Sequence, residues 1–135
     1  PAGAGGAGAV AAAGADFVVV GNTVWGAAID PETRRPGISG VVGGYSGAPI
    51  KPIALRAVLE VRRALPGLPV VGGGGVRRGA DVVEFLLAGA QAVALGTVHF
   101  ADPRAGKGIV HDLHRYGRRH GVARVADLVG AWEPW

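Results

Sequence analysis

The chain has 135 residues, which suggests one domain, and its 49% hydrophobic and 18% charged residues are typical of a globular protein. It has no cysteine, which excludes disulfides, thiolate metal sites and a cysteine nucleophile within these residues. The formal net charge is +4, no apolar run reaches the roughly 18 residues of a membrane span, and the first residue is not methionine. We therefore expect a processed chain or a fragment that acts in the cytoplasm.

Three short valine-rich runs predict strands, at residues 17–21, 68–73 and 92–97. They do not alternate with polar residues, which is typical of strands covered on both faces in a parallel sheet. A long loop follows the first run.

Helices are predicted between and after these strands. The segment 51–67 has an apolar face, with Pro52 suited to its first turn, and residues 80–90 and 108–121 show similar patterns. Repeated βα units indicate an α/β fold, either a (β/α) barrel or a doubly wound sheet. A complete barrel needs about 250 residues. We therefore expect residues 1–135 to form the C-terminal part of a (β/α)₈ TIM barrel, with about three βα units.

Polar residues follow the first predicted strand as Gly21-Asn22-Thr23. Asn22 offers donors and an acceptor, and Thr23 a hydroxyl, so the pair could bind a planar polar ligand. The same residues could equally close the strand in a local Asx or ST turn.

Glycine-rich segments follow the other two strands, at residues 72–75 and at Gly96-Thr97. Such backbone can approach an anion closely, and the loops after the last two barrel strands often bind phosphate. The alternative is a flexible loop. We favour a phosphate site because two adjacent βα units share the feature.

Other features favour structural roles. The basic segment 111–124 is interpreted as the solvated face of a terminal helix rather than a nucleic-acid site, and residues 30–35 as a charged turn rather than a catalytic carboxylate pair. The four histidines form no strong zinc pattern and are interpreted as surface residues. The tryptophans are interpreted as packing residues; they are Trp25, Trp132 and Trp135.

Several segments in order resemble dihydroorotate dehydrogenase of the class 1B, NAD-linked type, over about residues 9–130. They are "NT", "AIDPETRRP", "GGYSGAPIKPIALR", "VVGGGGV", "DVVEFLLAGAQAVALGT" and "FADP". The resemblance implies a (β/α)₈ barrel that binds FMN and oxidises dihydroorotate to orotate. It also implies a partner subunit with FAD and an iron–sulfur cluster, and an oligomer in the full-length form.

The resemblance implies roles for eight residues. Asn22 and Thr23 would bind the pyrimidine ring, and Gly21 and Gly47 would contact the flavin. The remaining four would hold the FMN phosphate; they are Gly74, Gly75, Gly96 and Thr97. No catalytic base is assigned, because the family's proton-abstracting cysteine and flavin-contacting lysine belong to its N-terminal half. We therefore expect the chain alone to be inactive and to bind FMN weakly.

The sequence departs from the family pattern at three places. Gly21 stands where a branched apolar residue is usual, Tyr45 replaces leucine, and Val98-His99 replaces Ala-Asn. Two alternatives remain open: a non-catalytic phosphate-binding or interaction module derived from such a barrel, and part of a flavoenzyme related to dihydropyrimidine dehydrogenase.

Overall fold

The computed structural model describes residues 2–133, with side chains from residue 5 onward. Four helices have at least nine residues: α1 (Ala2–Ala12), α2 (Lys51–Ala64), α3 (Gly79–Leu87) and α5 (Ala105–His120). A short helix, α4 (Val98–Ala101), precedes the last of them. The strands are β1 (Val18–Val20), β2 (Val24–Ala27), β3 (Ile29–Asp30), β4 (Arg35–Pro36), β5 (Val42–Tyr45), β6 (Val70–Gly73) and β7 (Ala92–Ala94). Short 3₁₀ turns lie at Ala48–Ile50 and Val125–Leu128.

The three predicted strands form one parallel sheet in the order β1-β6-β7. Val20, Gly72 and Val93 lie side by side across it. Parallel neighbours require helical crossovers, which α2 and α3 supply. The α/β class and the three central βα elements are therefore confirmed, although β7 ends at Ala94 rather than Thr97.

The core lies between this sheet and the helices on one of its faces. Phe85 and Val58 are fully buried, and a Cβ added to Gly72 would lie 2.8 Å from Phe85 and 3.1 Å from Val58. Gly72 therefore lets α2 and α3 pack directly on the middle strand.

The opposite face of the sheet is open in the described part of the chain. Val19 is 63% exposed, and Ala92 and Ala94 are also exposed. The prediction that both faces are covered is therefore wrong for these residues, because the helices pack on one face only.

The predicted long loop after β1 is instead a hairpin arm, residues 24–45. Strands β2 and β5 pair antiparallel, with Trp25 opposite Gly44, and β3 pairs with β4 nearer the tip. Trp25 is 84% exposed, so its interpretation as a packing residue is wrong within the described chain. Trp132 is also exposed, and Trp135 lies outside the described residues.

The arm contains the charged turn predicted at residues 30–35. Asp30 Oδ1 accepts a hydrogen bond from the backbone N–H of Glu32 at 2.9 Å, and its Oδ2 accepts one from the Thr33 hydroxyl at 2.7 Å. This Asp30 carboxylate therefore organises the turn locally.

Helix α5 carries the basic segment and ends at Gly121, whose left-handed backbone has a φ of 66°. Arg118 and Arg119 on its last turn are exposed, and Tyr116 stacks on His120 with ring centroids 4.2 Å apart. None of the described helices combines the length and apolar character needed to cross a bilayer.

Candidate functional site

A cleft of about 590 Å³ lies where the three parallel strands end. All eight residues singled out from the sequence line it: Gly21, Asn22, Thr23, Gly47, Gly74, Gly75, Gly96 and Thr97. Val19, Gly73 and Ala94, on the open face of the sheet, line it as well. The fold thus brings together residues that are up to 76 positions apart, from Gly21 to Thr97.

Gly21 occupies a position that excludes a side chain. Its φ is +124°, and an added Cβ would overlap the carbonyl oxygen of Gly73 on the neighbouring strand. Glycine adopts this backbone without steric cost, whereas branched residues do so rarely. A residue with a side chain at this position would therefore require a different backbone conformation at the end of β1.

Asn22 and Thr23 are both exposed at the cleft and are linked to each other. The Asn22 Oδ1 accepts hydrogen bonds from the Thr23 backbone N–H at 2.7 Å and from the Thr23 hydroxyl at 3.4 Å. This local bonding supports the turn interpretation for Asn22 Oδ1. The Asn22 side-chain NH₂ has no acceptor among the described residues, so it remains available to a ligand.

Gly44 is a further residue at this edge, and sequence reasoning assigned it to a loop. It lies in β5, and an added Cβ would lie 2.6 Å from the Thr23 Oγ1. Glycine at this position therefore lets the arm lie against Thr23 and limits the space that the Thr23 hydroxyl can occupy.

Gly74 and Gly75 begin the β6–α3 loop (residues 74–78) with φ angles of +121° and +76°. Within residues 2–133, the N–H groups of Gly74, Gly75 and Val76 donate to no protein acceptor. A run of free N–H groups at a glycine turn is the backbone arrangement that binds anions.

A second set of free N–H groups follows β7. In the described chain, the N–H groups of Gly96, Thr97 and Val98 also lack a protein acceptor. An added Cβ on Gly96 would meet nothing within 4 Å, so this backbone borders open space. Thr97 immediately precedes α4, which sequence reasoning missed because four residues are too few to show helical periodicity.

Gly47 lines the same cleft and lies just before the 3₁₀ turn Ala48–Ile50 that leads into α2. Its φ of 90° and ψ of −172° belong to a region that is essentially restricted to glycine. An added Cβ would have only Pro49 Cδ nearby, at 4.0 Å, so backbone conformation rather than space requires glycine here.

Sequence reasoning missed a charged cluster beside the cleft. Lys51 Nζ lies 2.7 Å from Asp81 Oδ1 and 2.7 Å from Glu84 Oε1. Asp81 is the only buried charged residue in the part of the chain that the structure describes. An acidic residue at the third position of a helix is a sequence signal for a helix start, but its lysine partner lies 30 residues away.

The buried Asp81 and the partly buried Lys51 stabilise each other's charges. Burial lowers the pKa of Lys51, but its hydrogen bonds to Asp81 and Glu84 outweigh that effect and raise the pKa above its ordinary value. Burial raises the pKa of Asp81, but hydrogen bonds from Lys51 and from the backbone of Arg77 and Arg78 bring it below its ordinary value. The pair is therefore ionised at neutral pH.

The structure is that of an α/β protein with a cleft at the carboxyl ends of its parallel strands, where such folds place their ligand sites. A model of the family described as "Dihydroorotate dehydrogenase" matches residues 7–116. The chain is 48% identical over 125 residues to the Pelobacter propionicus dihydroorotate dehydrogenase B (NAD(+)), catalytic subunit, and 46% identical to that of Phocaeicola vulgatus. Each match covers 93% of this chain and 41% of the relative.

Solved structures of dihydroorotate dehydrogenase (DHODH) also match the chain. The crystal structure of Eimeria tenella DHODH in complex with ferulenol matches 92% of this chain, and 33% of its own, with a TM-score of 0.75 and 26% identity. The ligand-free form matches 95% of this chain, and 35% of its own, with a TM-score of 0.77 and 25% identity. The chain belongs to the dihydroorotate dehydrogenase family, whose members are flavin-dependent oxidoreductases, and spans about 41% of the length of the curated relatives.

Proposed function

We propose that this chain supplies the C-terminal part of a (β/α)₈ barrel in an FMN-dependent dihydroorotate dehydrogenase of the B type. The reaction is the oxidation of dihydroorotate to orotate in pyrimidine biosynthesis. The two relatives are each a "Dihydroorotate dehydrogenase B (NAD(+)), catalytic subunit", and the proposal extends that activity to the protein that contains these residues.

One observation carries the proposal: two sets of N–H groups without protein acceptors border the same cleft, at Gly74–Val76 and at Gly96–Val98. Backbone N–H groups at the ends of neighbouring strands can hold a phosphate without any charged side chain. A Cβ at Gly75 would lie 2.7 Å from the Lys51 backbone nitrogen, so a side chain there would disturb the cradle. The residues present therefore fit the phosphate of FMN.

The other predicted residues fit the rest of the ligands. A cleft of about 590 Å³ lies within the roughly 300–1,000 Å³ range of cofactor and small-molecule sites. Gly21 and Gly47 bring backbone without side chains to its wall, which allows a flat ring to approach closely. Asn22 and Thr23 offer an amide and a hydroxyl at its mouth to orient a pyrimidine ring. FMN supplies the hydride-accepting chemistry when bound.

The arrangement of helices supports a barrel rather than a doubly wound sheet. Helices α2 and α3 pack on the Gly72 face, while Val19, Gly73 and Ala94 on the other face line the cleft. A doubly wound sheet has helices on both faces, whereas a barrel has them only outside. We assign the open face to the barrel interior.

We assign no catalytic base to this chain, whose part is to bind and orient FMN and dihydroorotate. The base is expected from the preceding half of the barrel. We further propose a cytoplasmic enzyme that is oligomeric in its full-length form and has an electron-transfer subunit carrying FAD and an iron–sulfur cluster, because the relatives are designated catalytic subunits of an NAD(+) enzyme.

The test is a chimaera in which this chain replaces the matching 125 residues of the Pelobacter propionicus relative. We expect the purified chimaera to retain FMN and to oxidise dihydroorotate. A Gly75→Val version should lose FMN, whereas Gly67→Ala, at a glycine with nothing within 4 Å of an added Cβ, should retain it. A folded chimaera without flavin would contradict the proposal, and turnover by the 135-residue chain alone would contradict the assignment of the base elsewhere.

A further inference from the structure

We propose that Lys51 is a positioning residue for the phosphate-binding loop: by tying the start of α2 to Asp81, it holds the N–H groups of Gly74, Gly75 and Val76 in place. This inference rests on the proposed function. It assigns a specific task to a charged cluster that the flavin site itself does not include.

The first contact runs from α2 to α3. Lys51 Nζ donates to Asp81 Oδ1 and to Glu84 Oε1, both at 2.7 Å, across sequence separations of 30 and 33 residues. The Lys51 side chain is 21% exposed and that of Asp81 only 6%. Charge-assisted hydrogen bonds between largely desolvated groups are among the stronger and more directional contacts in proteins.

The second contact runs from Asp81 to the far end of the β6–α3 loop. Asp81 Oδ2 accepts hydrogen bonds from the backbone N–H groups of Arg77 at 2.8 Å and Arg78 at 3.0 Å. One carboxylate thus uses one oxygen for Lys51 and the other for the loop. Any shift of Asp81 therefore moves the residues that follow Val76.

The third contact is at the near end of the same loop. An added Cβ on Gly75 would lie 2.7 Å from the Lys51 backbone nitrogen and 3.0 Å from the Gly47 carbonyl oxygen, so the loop lies directly against the start of α2. Lys51 therefore contacts the loop at Gly75 through its backbone and at Arg77 and Arg78 through Asp81. Of the three free N–H groups, those of Gly74 and Gly75 lie at the first anchor, and that of Val76 lies between the two anchors.

Lys51 is unsuited to bind the phosphate itself. Its ammonium group is already 2.7 Å from two carboxylates, and it is absent from the residues that line the 590 Å³ cleft. A pocket of about 400 Å³ beside it is lined by Lys51, Gly75, Arg77, Arg78, Asp81 and Ala48, which places the cluster behind the loop. Its effect on the phosphate must pass through the loop backbone.

The experiment compares FMN with riboflavin, which has the same ring and no phosphate, on the full 135-residue chain. Binding of both flavins is measured by the change in flavin fluorescence, and the amide NMR signals of Gly74, Gly75 and Val76 report separately on the FMN phosphate in this chain of 13.5 kDa. For Lys51→Met we expect about tenfold weaker FMN binding, the loss typical of one charge-assisted hydrogen bond, and unchanged riboflavin binding. Lys51→Arg should restore most of the FMN affinity.

Two controls separate positioning from general stability. Lys107, the only other lysine, is exposed on α5, and Lys107→Met should change neither affinity. Glu84→Gln removes the more exposed of the two carboxylates, 43% exposed, and should weaken FMN binding less than Lys51→Met does while leaving riboflavin binding unchanged. This milder variant tests the proposal if Lys51→Met does not fold.

The positioning role would be overturned if Lys51→Met weakened FMN and riboflavin binding equally. It would also be overturned if Lys51→Met and Glu84→Gln both bound FMN as tightly as the unmodified chain does. The proposed function fails differently: in that case the unmodified chain itself shows no FMN-dependent shift at Gly74–Val76, and the inference falls with it.

Discussion

Phe85 and Trp25 are both large aromatic residues, but they occupy opposite environments in two regions of the molecule. Phe85 is fully buried between α3 and the parallel sheet, whereas Trp25 is 84% exposed in the hairpin arm. The helix-covered face of the sheet follows the rule that apolar side chains are buried, and the arm does not. The comparison teaches that in this chain the hydrophobic core stabilises the parallel sheet, while the arm depends on backbone pairing and short polar turns.

The largest expected effect is at the centre of the core. Phe85→Ala should lower the free energy of unfolding by about 3–5 kcal/mol, because it removes a buried ring and leaves a cavity under Gly72. Trp25→Ala removes an even larger side chain and should change the same quantity by less than about 0.5 kcal/mol, because that side chain is already in water. Urea unfolding followed by circular dichroism measures both, and similar losses in the two variants would break the comparison.

The next effect concerns the joint between the two regions, since Gly21 lies between β1 and the arm. Gly21→Ala should cost more than about 2 kcal/mol, because the φ of +124° is strained for alanine and the added Cβ overlaps the Gly73 carbonyl. Gly67→Ala, the matched substitution in open space, should change stability by less than about 0.5 kcal/mol. A stability loss for Gly21→Ala as small as that for Gly67→Ala would mean that the ends of β1 and β6 adjust readily.

The smallest expected effects are the stability losses on replacing two carboxylates, Asp81 beside the sheet and Asp30 in the arm. The pKa values of both are lowered. Asp81→Asn should cost about 2 kcal/mol at pH 7. Because the folded pKa of Asp81 is depressed, its stabilising effect is complete above the unfolded pKa of about 3.9 and is lost as the pH falls through the folded value. The difference in unfolding free energy between the unmodified chain and Asp81→Asn should therefore shrink below about pH 4.

Asp30→Asn provides the matched control in the arm. The Thr33 hydroxyl and the Glu32 backbone N–H lower the pKa of Asp30, but this carboxylate is less buried than that of Asp81, so its removal should matter less at every pH. The measurement is the free energy of unfolding from pH 3 to pH 7 for each variant. An Asp30 effect as large as that of Asp81 would show that exposed turns contribute as much as buried ion pairs here.

The sequence predicted the covered sheet well and the arm poorly, for physical reasons. Runs such as Val18–Val20 and Val70–Gly73 are local, apolar and bounded by glycine, so each identifies a strand by itself. The arm strand Val42–Tyr45 contains two glycines and pairs with Val24–Ala27 only at long range, so neither segment signals a strand alone. The sequence signal for a hairpin in the arm was the pair of short segments on either side of the charged turn.

The residues of the candidate site divide in the same way into those that the sequence predicts and those that it does not. Of the eight predicted residues that line the cleft, seven end or follow predicted strands, whose ends a parallel sheet brings together, whereas Gly47 was identified only from the family resemblance. The Lys51–Asp81–Glu84 cluster was not identified, because its members meet only when two βα units pack side by side. Likewise, the need for glycine at position 44 depends on Thr23, which lies just before β2 and 21 positions away in the chain.

The open edge of β1 has a consequence for how this polypeptide behaves in solution. β1 and β7 are the outer strands of the sheet, and the exposed Val10, Phe17 and Val19 accompany β1. Unpaired strand edges next to apolar surface recruit further strands from other molecules. The state of the isolated chain should therefore depend on its concentration, with monomers in dilute solution and edge-to-edge association as concentration rises.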